Sequence, residues 1–288
     1  MSRRTANLLI LVASLTGAAA FLFTKVVVGE MGPSTLIVFR FCIGFLLLLP
    51  FFGRRIRRAN RATLRYALIL GVLHFALVFA FNIAMQTATA SIAGFICNAA
   101  TILAPLANAA LIRKAPHKLM VLAFFVALVG LFLLAGASGR FSFGSGEGVC
   151  VIVALLYTAQ ILLNDRIPRE ADPVSVGVLL IGICGLCAIP PAAIAEGFAF
   201  HLSLPGLWSL IGLTVLSTVV CQMILPVAQR YTTVDRTGFL IATEPIFAAL
   251  LGVFVLHESL STPIVFGMAC VMAGILLSLL VRSEKTLV

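Results

Sequence analysis

Ten apolar runs of about 18–25 residues follow one another along the chain, each long enough as a helix to cross a hydrocarbon core of about 30 Å. They lie at roughly 7–28, 33–52, 66–85, 89–112, 118–137, 147–164, 173–195, 206–229, 236–257 and 262–281, joined by short polar connectors. A soluble core of that size would need a polar shell, and soluble domains carry about 25% charged residues. Here 61% of the 288 residues are hydrophobic and 10% are charged. The fold class that follows is all-α and integral to a membrane, with ten transmembrane helices.

The net charge of +10 is a question of topology before it is one of partners. With the N-terminus inside, 17 of the 20 Lys and Arg fall on inner segments, including the run "RRIRRANRATLR" at 54–65. Lys25 and Arg140 fall outside, and Arg40 lies within the second span. This positive-inside bias predicts cytoplasmic termini in a plasma (inner) membrane, with the basic run as an anchor near anionic lipid rather than a nucleic-acid site. The opening "MSRRTANLLILVASLTGAAA" has the outline of a signal peptide, but the repeat described next needs it as a helix. The seven cysteines sit in or beside apolar runs without a completing His or Cys pair, so neither a metal set nor a disulfide framework is expected.

A shift of 144 residues sets "ATASIAGF" (88–95) on "TTVDRTGF" (232–239), Ala104 on Ala248 and Gly130 on Gly274. A shift of 140 sets Glu30 on Glu170, Pro33 on Pro173 and Pro50 on Pro190. Two repeats of five spans, 1–140 and 141–288, are therefore expected. Five is odd, so equivalent helices cross in opposite directions. Inverted repeats of this kind suit alternating access, with a solute site near the midplane between the halves. A single chain, holding both repeats, would be the functional unit.

Enzyme signatures fail on inspection. "HESLS" lacks the second His of a zinc-protease helix, because Ser261 stands there. "GSGEG" (144–148) lacks the Lys-Ser/Thr ending of a phosphate loop, and "GASG" (136–139) is no nucleophile elbow. No cofactor is implied; the expected partners are a small-molecule substrate and the lipid bilayer.

Polar residues inside a membrane bundle turn toward a cavity or another helix. Ser91, Gly94, Asn98, Thr101, Pro105 and Asn108 form one such stripe on the fourth span, and Asp235, Gly238, Ala242, Pro245, Ala249 and Gly252 its equivalent on the ninth. His74, Val78 and Asn82 on the third span match Thr218, Gln222 and Pro226 on the eighth. Ser14, Gly17, Phe21 and Thr24 line the first span, and Tyr157, Gln160 and Asn164 the sixth. From these, His74, Asn98, Tyr157, Gln160 and Gln222, with Phe79 for aromatic surface, are the candidate substrate-binding residues. Such a lining offers hydrogen bonds without fixed charge, which suits a zwitterionic metabolite with an apolar side chain better than a phosphate. The competing reading is helix–helix adhesion, in which a buried Asn only bonds nearby backbone. Pro105 and Pro245 are candidate kinks. Ala123, Ala127, Gly130, Gly267 and Gly274 give the fifth and tenth spans small-residue faces that should pack closely together.

With Lys25 after the first span, "PSTLIVFRF" around Pro33 and Arg40, and "TEPIFAALLGVFVLHES" on the ninth, the chain resembles ten-span EamA-like members of the drug/metabolite transporter superfamily. The likeness runs over nearly the whole sequence, and within the superfamily it is most similar to YddG-type aromatic amino-acid exporters. Glu244-Pro245 with Glu258 matches the family's second-half hallmark, whereas the first half has Thr101 and Lys114 at the aligned positions. The resemblance implies a metabolite exporter, with a multidrug or organic-cation exporter as the alternative and a non-transporting lipid-handling protein as a third reading. Glu244 reads as a helix-end partner for Arg230 or Arg236, ahead of a titrating role. Glu258, Lys25 and Arg40 read as an outer salt-bridge cluster. Small four-span relatives use a carboxylate in their first helix, and the first span here has none. Facilitated export or exchange is therefore expected over proton antiport at that position, with His74 the other candidate proton carrier.

Overall fold

The computed structural model describes residues 3–113, 115, 116, 118–136, 144–168, 170–220, 240 and 243–280. Ten helical segments occur among them: α1 (Arg3–Val27), α2 (Pro33–Ile56), α3 (Arg61–Thr87), α4 (Ala90–Leu111), α5 (Lys118–Gly136), α6 (Ser145–Asp165), α7 (Pro173–Glu196), α8 (Leu204–Val220), α9 (Glu244–Leu256) and α10 (Thr262–Leu280). Six of these are long and apolar enough to cross a bilayer, while the apolar parts of α5, α8, α9 and α10 are shorter. Successive helices reverse direction, so α1 and α6 run oppositely, as do the other equivalent pairs. The protein is a ten-helix membrane bundle of two inverted five-helix repeats. Its large outward side chains, such as Phe51, Phe132, Ile194, Trp208 and Phe254, are exposed as lipid-facing residues should be.

Local chemistry starts each helix. The Asn60 side chain accepts from Thr63 N–H, Thr89 from Ile92 N–H, and Ser203 from Gly206 N–H, each satisfying an amide the helix leaves free. Pro33, Pro173 and Pro205 sit in first turns, where the missing N–H is not needed. Asp172 caps α7 through Ser175 and also receives both Nε and Nη2 of Arg55 at 2.6 Å. That pairing holds the Asp172 carboxyl down at about 2. Together with Asn60 bonding Glu170 O, it ties the 57–60 connector to the 166–172 connector at one end, called here the basic end.

At the other, acidic end, three glutamates reach helix N-termini of the opposite repeat. Glu196 accepts from the N–H of Ser34 and Thr35 at 2.8 and 2.7 Å, starting α2. Glu30 accepts from Ser203 N–H at 2.9 Å, starting α8. Glu258 accepts from Ala90 N–H at 2.7 Å and Ser91 N–H at 3.1 Å, starting α4. A carboxylate at a helix N-terminus meets both the free amides and the positive end of the dipole. Lys25 does the converse beside Glu258: its ammonium donates to Met85 O and Ala88 O, carbonyls at the end of α3.

Among the described residues, helices α5 and α10 form the most extensive pair. A Cβ on Gly130 would lie 2.7 Å from Gly267 O, and one on Gly274 would lie 2.7 Å from Ala123 O and 2.9 Å from the Ala127 methyl. The expected small-residue faces meet backbone to backbone.

Candidate functional site

The fourth helix of the first repeat and the described part of its counterpart in the second carry a turn at equivalent places. In α4 the turn falls at Ala99, where Ala99 N–H reaches back three residues to Ile96 O. In the second repeat Thr243 N–H makes the same bond to Leu240 O, and these positions are 144 residues on. Side chains hold each turn. Asn98 donates to Gly94 O at 2.9 Å and Thr101 to Asn98 O at 2.8 Å, competing with the ordinary helical ladder. Leu240 O receives the Thr243 hydroxyl at 2.6 Å and the Ser14 hydroxyl of α1 at 3.0 Å.

These turns bear on three expectations. Pro245 lies buried in the first turn of α9 rather than in a helix interior, and there a proline is accommodated at no hydrogen-bond cost. Pro105 lies in the second half of α4, six residues beyond the turn, so the interruption there is set by Asn98 and Thr101 instead. Asn98 itself is buried, with its amide engaged by Gly94 O of its own helix.

Away from the turns, a polar chain crosses between the repeats. Thr218 of α8 accepts from Arg40 Nε at 2.9 Å. The Arg40 guanidinium lies 4.9 Å from the Phe41 ring centre, and that ring packs edge-on to His74 at 5.5 Å. His74 of α3 donates through Nδ1 to Gln160 Oε1 of α6 at 3.0 Å, since an amide oxygen only accepts. Arg40 therefore stands with the predicted polar residues and not in the outer cluster with Lys25 and Glu258. A π-turn at Val38–Cys42 explains the move, because the extra residue per turn rotates Arg40 off the helical register. Thr218 lies in a second π-helical stretch, Leu213–Val220.

Among the other predicted residues, Tyr157 is half-buried one turn before Gln160, and Phe79 stacks on Phe75 at 5.8 Å beside the same cluster. Gln222, Arg230 and Arg236 lie outside the described residues. Asn98 stands apart from His74: its neighbour Cys97 approaches Cys150 O, and Cys150 precedes Gln160 by ten residues, about 15 Å along α6. Sequence reasoning missed Glu30 and Glu196, whose partners are distant in the chain. Among the described residues, the buried Thr24 Oγ1 and Asn82 Oδ1 have no hydrogen-bond partner, and both lie on predicted inward stripes of α1 and α3.

The model of the EamA-like transporter family matches residues 4–136 and again 144–280. Two proteins of Archaeoglobus fulgidus, each called an uncharacterized transporter, are similar along their length. One is 27% identical over 272 residues, covering 91% of this chain and 96% of its own. The other is 25% identical over 279 residues, covering 96% and 86%. A solved crystal structure superposes with a TM-score of 0.67 at 17% identity, covering 98% of this chain and all of that one, which speaks to the fold.

Proposed function

The chain belongs to the EamA-like transporter family, and from that premise we propose that it exports aromatic or other apolar amino acids by alternating access. In this reading residues 1–140 and 141–288 are the two moving repeats, a single chain is the functional unit, and both termini face the cytoplasm across the inner membrane. The observation that carries the reading is the chain Thr218–Arg40–Phe41–His74–Gln160, whose two ends come from the second repeat and whose middle comes from the first, within an apolar bundle. Hydrogen-bonding groups, one fixed cation and aromatic faces suit a solute with a carboxylate and an apolar side chain.

Counterflow of labelled phenylalanine into proteoliposomes loaded with unlabelled phenylalanine tests this directly. Accumulation is expected, and His74→Leu should raise the half-saturating concentration about tenfold, the loss of one buried polar contact. Exchange of an organic cation such as tetraphenylphosphonium without exchange of phenylalanine would replace the substrate class with the multidrug alternative.

A further inference from the structure

Six arginines stand within residues 54–65, and no Asp or Glu occurs between Glu30 and Glu147. Arg55 is matched by Asp172 of the other repeat. Arg54, Arg57, Arg58, Arg61 and Arg65 are exposed. Four of these five fall into pairs one helical turn apart, Arg54 with Arg58 where α2 ends and Arg61 with Arg65 where α3 begins. Like charges at that spacing destabilise a helix. The second pair carries a further cost, because it sits near the positive end of the α3 dipole with no acidic residue in the first turn. A topology signal would be served equally well by any spacing in the connector. A helix start flanked by paired guanidinium forks is instead suited to phosphate.

The apolar surface beside the arginines keeps their register. On α2, Leu47, Phe51, Arg54 and Arg58 follow one another at steps of four, three and four residues, along one exposed face. On α3, Val72, Leu68, Arg65 and Arg61 repeat those steps in the reverse direction, also along an exposed face. Phe51 is 72% exposed and Leu68 55%, so each arginine pair stands at the end of a lipid-facing stripe. Arg58 and Arg61 are three residues apart, at most about 11 Å between Cα atoms, which keeps both pairs within reach of one headgroup. The same connector is the one that Arg55 and Asn60 tie to residues 166–172 of the other repeat.

We propose that the α2–α3 turn is a site for an anionic phospholipid whose headgroup carries two phosphates, the chemistry of cardiolipin. Arg54 and Arg58 hold one phosphate, and Arg61 and Arg65 hold the other. The acyl chains lie along Leu47 and Phe51 on one helix and Leu68 and Val72 on the other. With the phosphates in place the arginines no longer repel one another, so the lipid braces the connector that carries the Arg55–Asp172 pair. That brace serves the bundle whatever solute it carries.

Native mass spectrometry of the protein in detergent with added cardiolipin should show one lipid retained per chain. The midpoint of thermal unfolding should rise by several degrees and level off near about one equivalent. Phosphatidylglycerol, with a single phosphate, should need roughly tenfold more for the same rise. Arg54→Gln with Arg58→Gln, or Arg61→Gln with Arg65→Gln, should lose most of the rise, each variant measured against its own lipid-free midpoint. All four changes together should abolish it. Lysine at the same four positions keeps the charge without the fork, and should need severalfold more lipid. Arg113→Gln with Lys118→Gln, which removes charge elsewhere at the basic end, should respond like the parent. No lipid retained and no rise in the parent would overturn the proposal, as would an undiminished rise in the fourfold Gln or Lys variants. An equal response to phosphatidylglycerol at matched phosphate would overturn the two-phosphate headgroup. A loss in the Arg113 and Lys118 variant as large as in the paired variants would overturn the assignment to this turn.

Discussion

Two helix pairs related by the same internal symmetry are put together in opposite ways. Helices α5 and α10 are continuous and apolar, and their glycines bring backbones into contact along the pair. Helix α4 turns at Ala99, and α9 starts just after the equivalent Thr243. Asn98, Thr101 and Glu244 lie at or beside these turns. The two helices meet through small residues, Gly94 against Ala248 and Ser91 against Gly252 and Ala249. There, a Cβ on Gly94 would lie 2.9 Å from the Ala248 methyl, with the Pro245 Cα next at 3.9 Å. Close packing with no polar group fixes a pair rigidly in lipid, where dispersion and backbone approach supply the adhesion. Side-chain hydrogen bonds that compete with the backbone ladder make a helix locally weaker and easier to bend at the interruption. In the proposed transport cycle one pair would serve as a frame and the other as a joint.

The largest effect should come from disturbing the frame. Gly130→Leu drives a branched side chain into Gly267 O and the Val271 backbone, both 2.7 Å from the added Cβ. Backbone cannot yield as a side chain does, so about 3 kcal/mol or more of stability should be lost. Folded protein recovered in detergent should fall to a small fraction of the parent. Recovery equal to the parent would mean the pair is looser than its glycines imply.

A smaller insult at the joint should act on rate instead. Gly94→Ala adds one methyl against the Ala248 methyl, a contact that a slight parting of α4 and α9 relieves. Folded yield should stay near the parent, whereas phenylalanine exchange should slow by about tenfold, the effect of about 1.4 kcal/mol on one state of the cycle. Equal exchange rates would show that this contact does not tighten and loosen during transport.

Much of this contrast is legible in the sequence. Spacing of seven among Ala123, Gly130, Gly267 and Gly274 announces the frame, because small residues in a helical register have few other uses in lipid. The inward stripes of α3 and α6 anticipate His74 meeting Gln160. Lys25 and Glu258 are correctly placed at one end, although each serves a helix terminus rather than a simple ion pair. What escapes the sequence is set by tertiary context. A π-turn has no signature in "VFRFC", so the helical period sends Arg40 to the wrong neighbours. Prolines draw attention as kinks, yet the α4 turn depends on Asn98 and Thr101, and Pro245 lies in a first turn. Glu196 and Glu30 find their amides more than 160 residues away, a distance over which no local pattern speaks.

The central claim, that α4 and α9 move against each other in every cycle, is tested most directly by tying them together. Cysteines at Gly94 and Ala248, in a chain whose seven native cysteines are replaced, lie close enough to oxidise with a parting of about 1 Å. Phenylalanine counterflow is then measured before oxidation, after it, and after reduction. Oxidation is expected to slow exchange by tenfold or more, roughly the loss of one conformational step, and reduction to restore it. Exchange at the same rate with the disulfide formed would contradict the account, because the joint would then be as rigid as the frame.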